Sequence, residues 1–158
     1  MAERKQGFAP VFDKMSKVLI LGSFPSVKSR EIDFYYGHKQ NRFWKMLCDF
    51  FQKSIPETIE EKKEFLHQNR IALWDIVSSC EIVNSDDSTI QKAEIVDLNE
   101  VLQTAKIEKI LLNGEKAYKF FLKEYKALGI AYEKMQSTSP RNGHYKQEDW
   151  WTALSEIF

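Results

Sequence analysis

Four short apolar runs, each separated from the next by helical patterning, constrain this chain more than any other feature. Residues 17–21 read Lys-Val-Leu-Ile-Leu and stop at Gly22, and residues 71–77 read Ile-Ala-Leu-Trp-Asp-Ile-Val. A third run covers residues 107–112, and a fourth starts at Gly129 and ends near Met135. Apolar runs of this length, bounded by turn residues, are the mark of buried strands. Between them, residues 41–52 place Phe43, Trp44, Leu47, Cys48, Phe50 and Phe51 at helical spacing, which predicts a heavily buried helix. Pro56 opens a charged helix to about His67, and Asp97 with Glu100 forms a capping-box pattern before Leu98, Val101 and Leu102. Further helices are predicted after Gly114 and from Gln147 to Phe158. Strands that alternate with helices make a parallel sheet covered on both faces. The predicted fold is therefore α/β, a three-layer α/β/α sandwich around a four-stranded, mainly parallel sheet.

The 158 residues suit one domain, 1–158, since no repeat, low-complexity stretch or linker divides them. Apolar residues at 43% and charged residues at 29% give an ordinary water-soluble profile. The charged opening, Met1-Ala-Glu-Arg-Lys-Gln6, predicts no signal peptide, and no apolar stretch is long enough for a membrane span. Cys48 and Cys80 lie far apart among apolar neighbours, as buried small hydrophobes rather than a disulfide. Three histidines with no close cysteine predict no metal site. A monomer in the reducing cytoplasm, needing no cofactor, is the expectation.

Net charge is zero, which by itself argues against binding to a polyanion. The charge is unevenly spread, however. Arg4, Lys5, Lys14, Lys17, Lys28, Arg30, Lys39, Arg42 and Lys45 outnumber the acids of the first 45 residues, whereas Glu57, Glu60, Glu61, Glu64, Asp86 and Asp87 lie in the middle. A one-sided basic face is compatible with that asymmetry.

In open parallel sheets, ligands bind beyond the carboxyl ends of the strands. The first run is followed by Gly22-Ser-Phe-Pro-Ser26 and a long polar, aromatic loop, and the second contains Asp75. The third ends on Asn113-Gly114, and the fourth runs into Ser137-Thr-Ser-Pro-Arg-Asn-Gly143. Four polar elements should converge on one edge of the sheet.

Gly22-Ser-Phe-Pro-Ser26, followed by Tyr35-Tyr-Gly-His-Lys-Gln-Asn-Arg-Phe-Trp44, resembles the first motif of the uracil-DNA glycosylase superfamily. It is most similar to the hypoxanthine-DNA glycosylase family, whose pattern runs Gly-Ser-Phe-Pro-Ser, then Tyr-Tyr-Gly-His-Pro-Gln-Asn-Arg-Phe-Trp. Ser137-Thr-Ser-Pro140 resembles the second motif, a loop that enters the DNA minor groove. The resemblance spans nearly the whole chain. The first motif is long and specific; the second is short.

The resemblance implies a DNA repair enzyme that hydrolyses the N-glycosidic bond of a deaminated base in DNA. Such an enzyme must extrude the nucleotide, read and stack on its base, and deliver water to C1′. Tyr36 stands where relatives stack an aromatic on the flipped base. Ser26 stands where uracil enzymes carry a bulky tyrosine, which would leave room for a purine. Ser23 and Phe24 complete the loop around the base. Many relatives carry a water-activating Asp or Asn at the position of Phe24, which cannot do that work. The hypoxanthine family uses the Asn of its Gln-Asn-Arg-Phe-Trp segment instead, which is Asn41 here. An amide orients water without deprotonating it, and a dissociative transition state demands little more. Ser137, Ser139, Pro140, Arg141 and Asn142 are the implied DNA contacts. Lys39 in place of a usual Pro, and Arg141 in place of a usual small residue, depart from the family pattern.

Each of these residues has a plainer reading beside it. Asn41 precedes a helix, where Asn is a preferred cap. Asp75 is either a strand-end acid bonded to a nearby turn or, by its position, a reader of the base edge. Asn113 reads as a turn residue before Gly114, and His38 and His144 as ordinary loop histidines. A uracil- or xanthine-directed glycosylase, a nucleotide-binding domain, and an inactive DNA-binding module remain alternatives. The single glycine of Gly22-Ser-Phe-Pro-Ser26 opposes the second of these, and Phe24 is what favours the third.

Overall fold

The computed structural model describes residues 3–158; Met1 and Ala2, the start of the charged opening segment, lie outside the described residues. In chain order the strands are β1 (Glu3–Gln6), β2 (Val18–Gly22), β3 (Ile71–Asp75), β4 (Val77–Ile82), β5 (Gln91–Ile95), β6 (Lys109–Asn113) and β7 (Ala131–Met135). The helices are α1 (Val27–Ile32), α2 (Phe43–Phe51), α3 (Ile59–Gln68), α4 (Asn99–Leu102), α5 (Glu115–Tyr125) and α6 (Gln147–Ser155).

The four predicted strands form one sheet in the order β3-β2-β6-β7, and every pairing is parallel. All five residues of β2 and of β3 are buried, as expected of central strands covered on both faces. From β2 the chain crosses left through α1, α2 and α3 to β3, then returns right through α4 to β6 and through α5 to β7. Right-handed crossovers in opposite directions put the two sets of helices on opposite faces. The chain is thus the expected three-layer sandwich. The connections part company between β2 and β6, which is the topological switch point where such sheets hold their ligands.

Residues 71–77 are not one strand. β3 ends at Asp75, and the chain bends at Ile76, where the Ile76 and Val77 N–H groups donate to the Gly22 and Ser23 carbonyls at 2.8 and 3.1 Å. The turn delivers the chain into β4, the centre of a second, antiparallel sheet ordered β1-β4-β5 that the apolar pattern did not reveal. α1 also stands where the sequence predicts a loop. It begins at Ser26, whose side-chain oxygen accepts the Ser29 N–H.

The charged helix starts at Ile59 rather than Pro56, because Thr58 caps it by accepting the Glu61 N–H at 3.1 Å. The Asp97–Glu100 box is only half made: Asp97 Oδ1 accepts from Asn99 N–H, while Glu100 N–H reaches the Asp97 carbonyl. α2 buries Phe43, Trp44, Met46, Leu47 and Cys48, whereas Phe50 and Phe51 of the expected face are only half-buried, packed against the core from its edge. Cys48 and Cys80 are both free and buried, as read from their surroundings.

Candidate active site at the strand ends

The carboxyl ends of β2, β3, β6 and β7 open into one cleft. It is lined by Gly22, Ser23, Phe24, Pro25 and Ser26 after β2, Asp75 at the end of β3, Asn113 at the end of β6, and residues 137–141 after β7. Tyr36, His38 and Asn41 border it from the loop that precedes α2. Ser23, Phe24, Ser26, Tyr36, Asn41, Asp75, Ser137, Ser139, Pro140 and Arg141 are thus brought together as expected. Asn142 is not: it lies outside the lining, its amide donating to the Ser137 carbonyl and Gln136 Oε1 while its Oδ1 accepts the His144 N–H. Asn142 braces the loop from behind.

Tyr36 has its backbone in the left-handed region, with φ of 54°, a costly conformation for a bulky residue. The strain turns its ring onto Phe43, with centroids 4.1 Å apart and planes 25° from parallel. Its hydroxyl end points to the floor of the cleft, where a Cβ on Gly22 would lie 2.4 Å from Asp75 Oδ1 and 2.9 Å from the Tyr36 oxygen. Only glycine allows both groups this close to the strand end. Tyr35 belongs to the core at the inner wall of the cleft, its hydroxyl donating to the Ala9 carbonyl at 2.7 Å.

Asn41 stands one residue before Arg42, the N-cap of α2, and faces both ways. Its Oδ1 accepts the Phe43 N–H at 2.9 Å at the start of α2, and the half-buried residue borders the cleft. Ser26 likewise both caps α1 and lines the cleft; its hydroxyl donates to Ser29 Oγ at 3.1 Å. Phe24 is 7% exposed, with the Arg30 guanidinium 5.6 Å from its ring centroid. No acid or amide comes from that position of the loop.

The floor is electrostatically unusual. Asp75 is 4% exposed, and its Oδ2 and the Tyr36 hydroxyl are both buried without a hydrogen-bond partner. Burial, and then the charge of Asp87, push the Asp75 carboxyl up to about 7. Burial also raises the Tyr36 phenol, with Asp75 adding to it and the nearby Asn113 side chain opposing it, although no hydrogen bond of good geometry joins the two. Asp87 lies in a short 3-10 turn (Asp87–Thr89) and accepts the Ser23 hydroxyl at 2.8 Å. Its own carboxyl is raised by burial, against the Ser23 hydrogen bond, Lys116 and Arg141, which lower it.

Three further residues shape the site beyond the sequence reading. Asp87 sat in a segment legible only as loop, and nothing in the spacing ties it to Ser23. Asn113 is more than a turn residue: its Nδ2 donates to Thr138 Oγ1 at 3.1 Å and its Oδ1 accepts the Thr138 N–H at 3.0 Å, which locks the end of β6 to the loop after β7. Arg42 secures the same loop from the other side. Its guanidinium donates to the Ser139 and Asn142 carbonyls, its N–H donates to the Thr138 carbonyl at 3.1 Å, and it packs 4.2 Å from the centroid of the Tyr145 ring. The motif Asn41-Arg-Phe-Trp44 therefore places a cleft residue, a loop clamp and two core aromatics in succession. His38 borders the cleft and accepts the Gln40 N–H through Nδ1, whereas His144 is exposed outside it.

The family follows from the whole-chain match. Residues 9–156 fit the model of the Uracil DNA glycosylase superfamily. The chain belongs to that superfamily. It is 34% identical over 158 aligned residues to a protein of Methanosarcina acetivorans named Hypoxanthine DNA glycosylase, covering 95% of this chain and 97% of that one. A Methanosarcina barkeri protein of the same name is 33% identical over 116 residues, 72% of this chain and 73% of its own length. The fold is similar to the solution NMR structure of a Methanosarcina acetivorans protein provisionally assigned as a uracil DNA glycosylase, with a TM-score of 0.82, 32% identity and 96% of each chain covered.

Among the described residues no helix is long and apolar enough to cross a membrane, and no three His, Cys, Asp or Glu side chains are grouped to hold a metal ion.

Proposed function

We propose that this chain is a monofunctional DNA glycosylase that hydrolyses the bond between a deaminated base, hypoxanthine above all, and its deoxyribose. The observation that carries the proposal is the meeting of Asn41, Tyr36 and residues 137–141 around one cleft at the switch point of the sheet. The name shared by the two Methanosarcina relatives supports hypoxanthine as the base. The protein acts as a single-domain monomer on DNA, needs no cofactor or membrane, and works in the cytoplasm, where its two buried thiols stay reduced.

In this reading the target nucleotide is extruded into the cleft and its base stacks on Tyr36, which Phe43 supports from behind. The hydroxyl of Ser26 is committed to the start of α1, so Ser26 serves the base by its small size. Asn41 Oδ1, already held by the Phe43 N–H, keeps a second lone pair for a water, and its Nδ2 is a further donor. That amide orients the water toward C1′ as the C1′–N9 bond breaks and the electron pair leaves with the base. Charge then develops on sugar and base, where positioned dipoles act most strongly. Arg141 is exposed at the rim, and with Ser137, Ser139 and Pro140 it meets the DNA backbone or the gap left by the base.

Duplexes carrying one deoxyinosine, deoxyuridine or deoxyxanthosine, assayed for alkali-labile sites, test the proposal. The expected result is strand breakage at deoxyinosine after alkali and far slower release of the other two. No alkali-labile site in any of the three would overturn it.

A further inference from the structure

The floor of the cleft holds more hydrogen-bonding capacity than the protein uses. Asp75 Oδ2 and the Tyr36 hydroxyl are buried with no geometric hydrogen-bond partner among the described residues, while the other carboxyl oxygen, Asp75 Oδ1, and the Tyr36 oxygen crowd Gly22 at the end of β2. A buried polar atom left without a partner costs on the order of 1–3 kcal/mol, and a ligand that supplies the partner recovers that cost. The groups facing Asp75 are Tyr35 and Tyr36 from the loop before α2 and Asp87 from the 3-10 turn. The cations nearby, Lys116 and Arg141, act on Asp87, and His38 stands at the mouth. The strongest charge on Asp75 is therefore a second carboxylate. Two carboxyls in one dry site do not both ionise readily.

We propose that Asp75 meets the flipped base as a neutral carboxylic acid, donating its O–H to the keto oxygen of a 6-oxopurine and accepting from the adjacent ring N–H, with Asp87 as the charge that keeps the proton in place. This rests on the glycosylase reading above and adds the group that reads the base. A neutral carboxyl offers one donor and one acceptor side by side, which matches the C6=O and N1–H edge of hypoxanthine; a carboxylate offers acceptors only and repels O6. The contact also strengthens as the reaction proceeds. The C1′–N9 bond breaks with its electrons going to the purine, water forms the new C1′–O bond and releases a proton to solvent, and the charge arriving on O6 meets the Asp75 O–H. No net transfer of the Asp75 proton is required.

The test is the pH dependence of single-turnover excision from a deoxyinosine duplex by the whole protein and two variants. For the wild type the rate should be flat below about pH 7 and fall about tenfold per unit above it, as Asp75 ionises. Asp75→Asn carries a neutral donor and acceptor at every pH, so its rate should lie within about tenfold of wild type at pH 6 and lack the fall. Asp87→Asn removes the facing charge and should move the fall to lower pH. A wild-type rate that does not fall, or a fall that survives in Asp75→Asn, overturns the inference.

Carbon NMR of the Asp75 carboxyl in the free protein reads its protonation with no substrate present. A midpoint in the ordinary carboxylate range overturns the inference even where excision is fast. A midpoint near 7 in a protein that releases no base from any duplex overturns the glycosylase reading, and this inference with it.

Discussion

The floor and the rim of the cleft are built on opposite physical terms. The floor is made of strand ends: Gly22, Asp75 and Asn113 are buried, and Thr138 is fully so. Polar groups there sit in a low-dielectric environment, where each hydrogen bond is strong and each missing partner is costly. The rim is made of loops: His38, Lys39, Pro140 and Arg141 are exposed, and Asn41 and Ser139 are half-buried. Charges there are screened by salt and by water. The floor is suited to reading one base, and the rim to holding a polyanion whose sequence does not matter. Asn41 and Arg42 join the two, since one borders the cleft while the other clamps the loop after β7 onto the start of α2.

The largest effect should come from Asn41. Asn41→Ala should cut single-turnover excision of hypoxanthine by roughly 10²-fold or more, the scale of losing one positioned group. Its loss as a helix cap should cost only about 1 kcal/mol of stability. A fall in melting temperature with the rate intact would confine Asn41 to capping and move catalysis to the floor. Arg42→Ala should come next. It removes the guanidinium bonds to the Ser139 and Asn142 carbonyls, so residues 137–142 should exchange their amide hydrogens faster, and excision should drop about tenfold. Unchanged exchange would show that the Asn113–Thr138 pair holds the loop alone.

A smaller effect is expected at Arg141. Arg141→Ala should weaken duplex binding several-fold and reduce the slope of log affinity against log salt by about one, while a bound duplex is still processed. Identical salt titrations would take Arg141 out of the interface. A separate effect is on stability. The Asp75 carboxyl is higher in the folded protein than in the unfolded chain, so the folded state binds more protons between about pH 4 and 7 and loses stability as pH rises through that window. Asp75→Asn should therefore raise the melting temperature at pH 8, and the gap should close as pH falls toward 4. An equal gap at both ends would mean that the gain comes from packing rather than ionisation.

The division between floor and rim also explains what the sequence made legible. The parallel sheet could be read because buried central strands are continuous apolar runs, as residues 18–21 and 71–74 are. The antiparallel sheet could not. β1 is Glu-Arg-Lys-Gln, held by backbone pairing to β4, and β5 is Gln-Lys-Ala-Glu-Ile with only Ala93 and Ile95 turned inward. Period-two alternation at Ala93 and Ile95 was the one available signal. In the site, the motif loops were visible because contiguous residues spell them. Asp87 and Thr138 meet Ser23 and Asn113 across 64 and 25 residues, so those pairs exist only once the chain has folded. Asn142 belongs to the motif in sequence, yet its amide is bonded inside the loop rather than turned into the cleft.

The central claim is that the cleft removes a base by water attack and leaves the sugar-phosphate chain unbroken. Single-turnover reaction of the wild-type protein with a deoxyinosine duplex, followed by mass analysis of the released base and of both strands, tests it most directly. The expected result is free hypoxanthine, an intact abasic strand until alkali is added, and no covalent protein–DNA adduct after borohydride, because no lysine among the described residues lines the cleft. A borohydride-trapped adduct, or a strand cut without alkali, would contradict it.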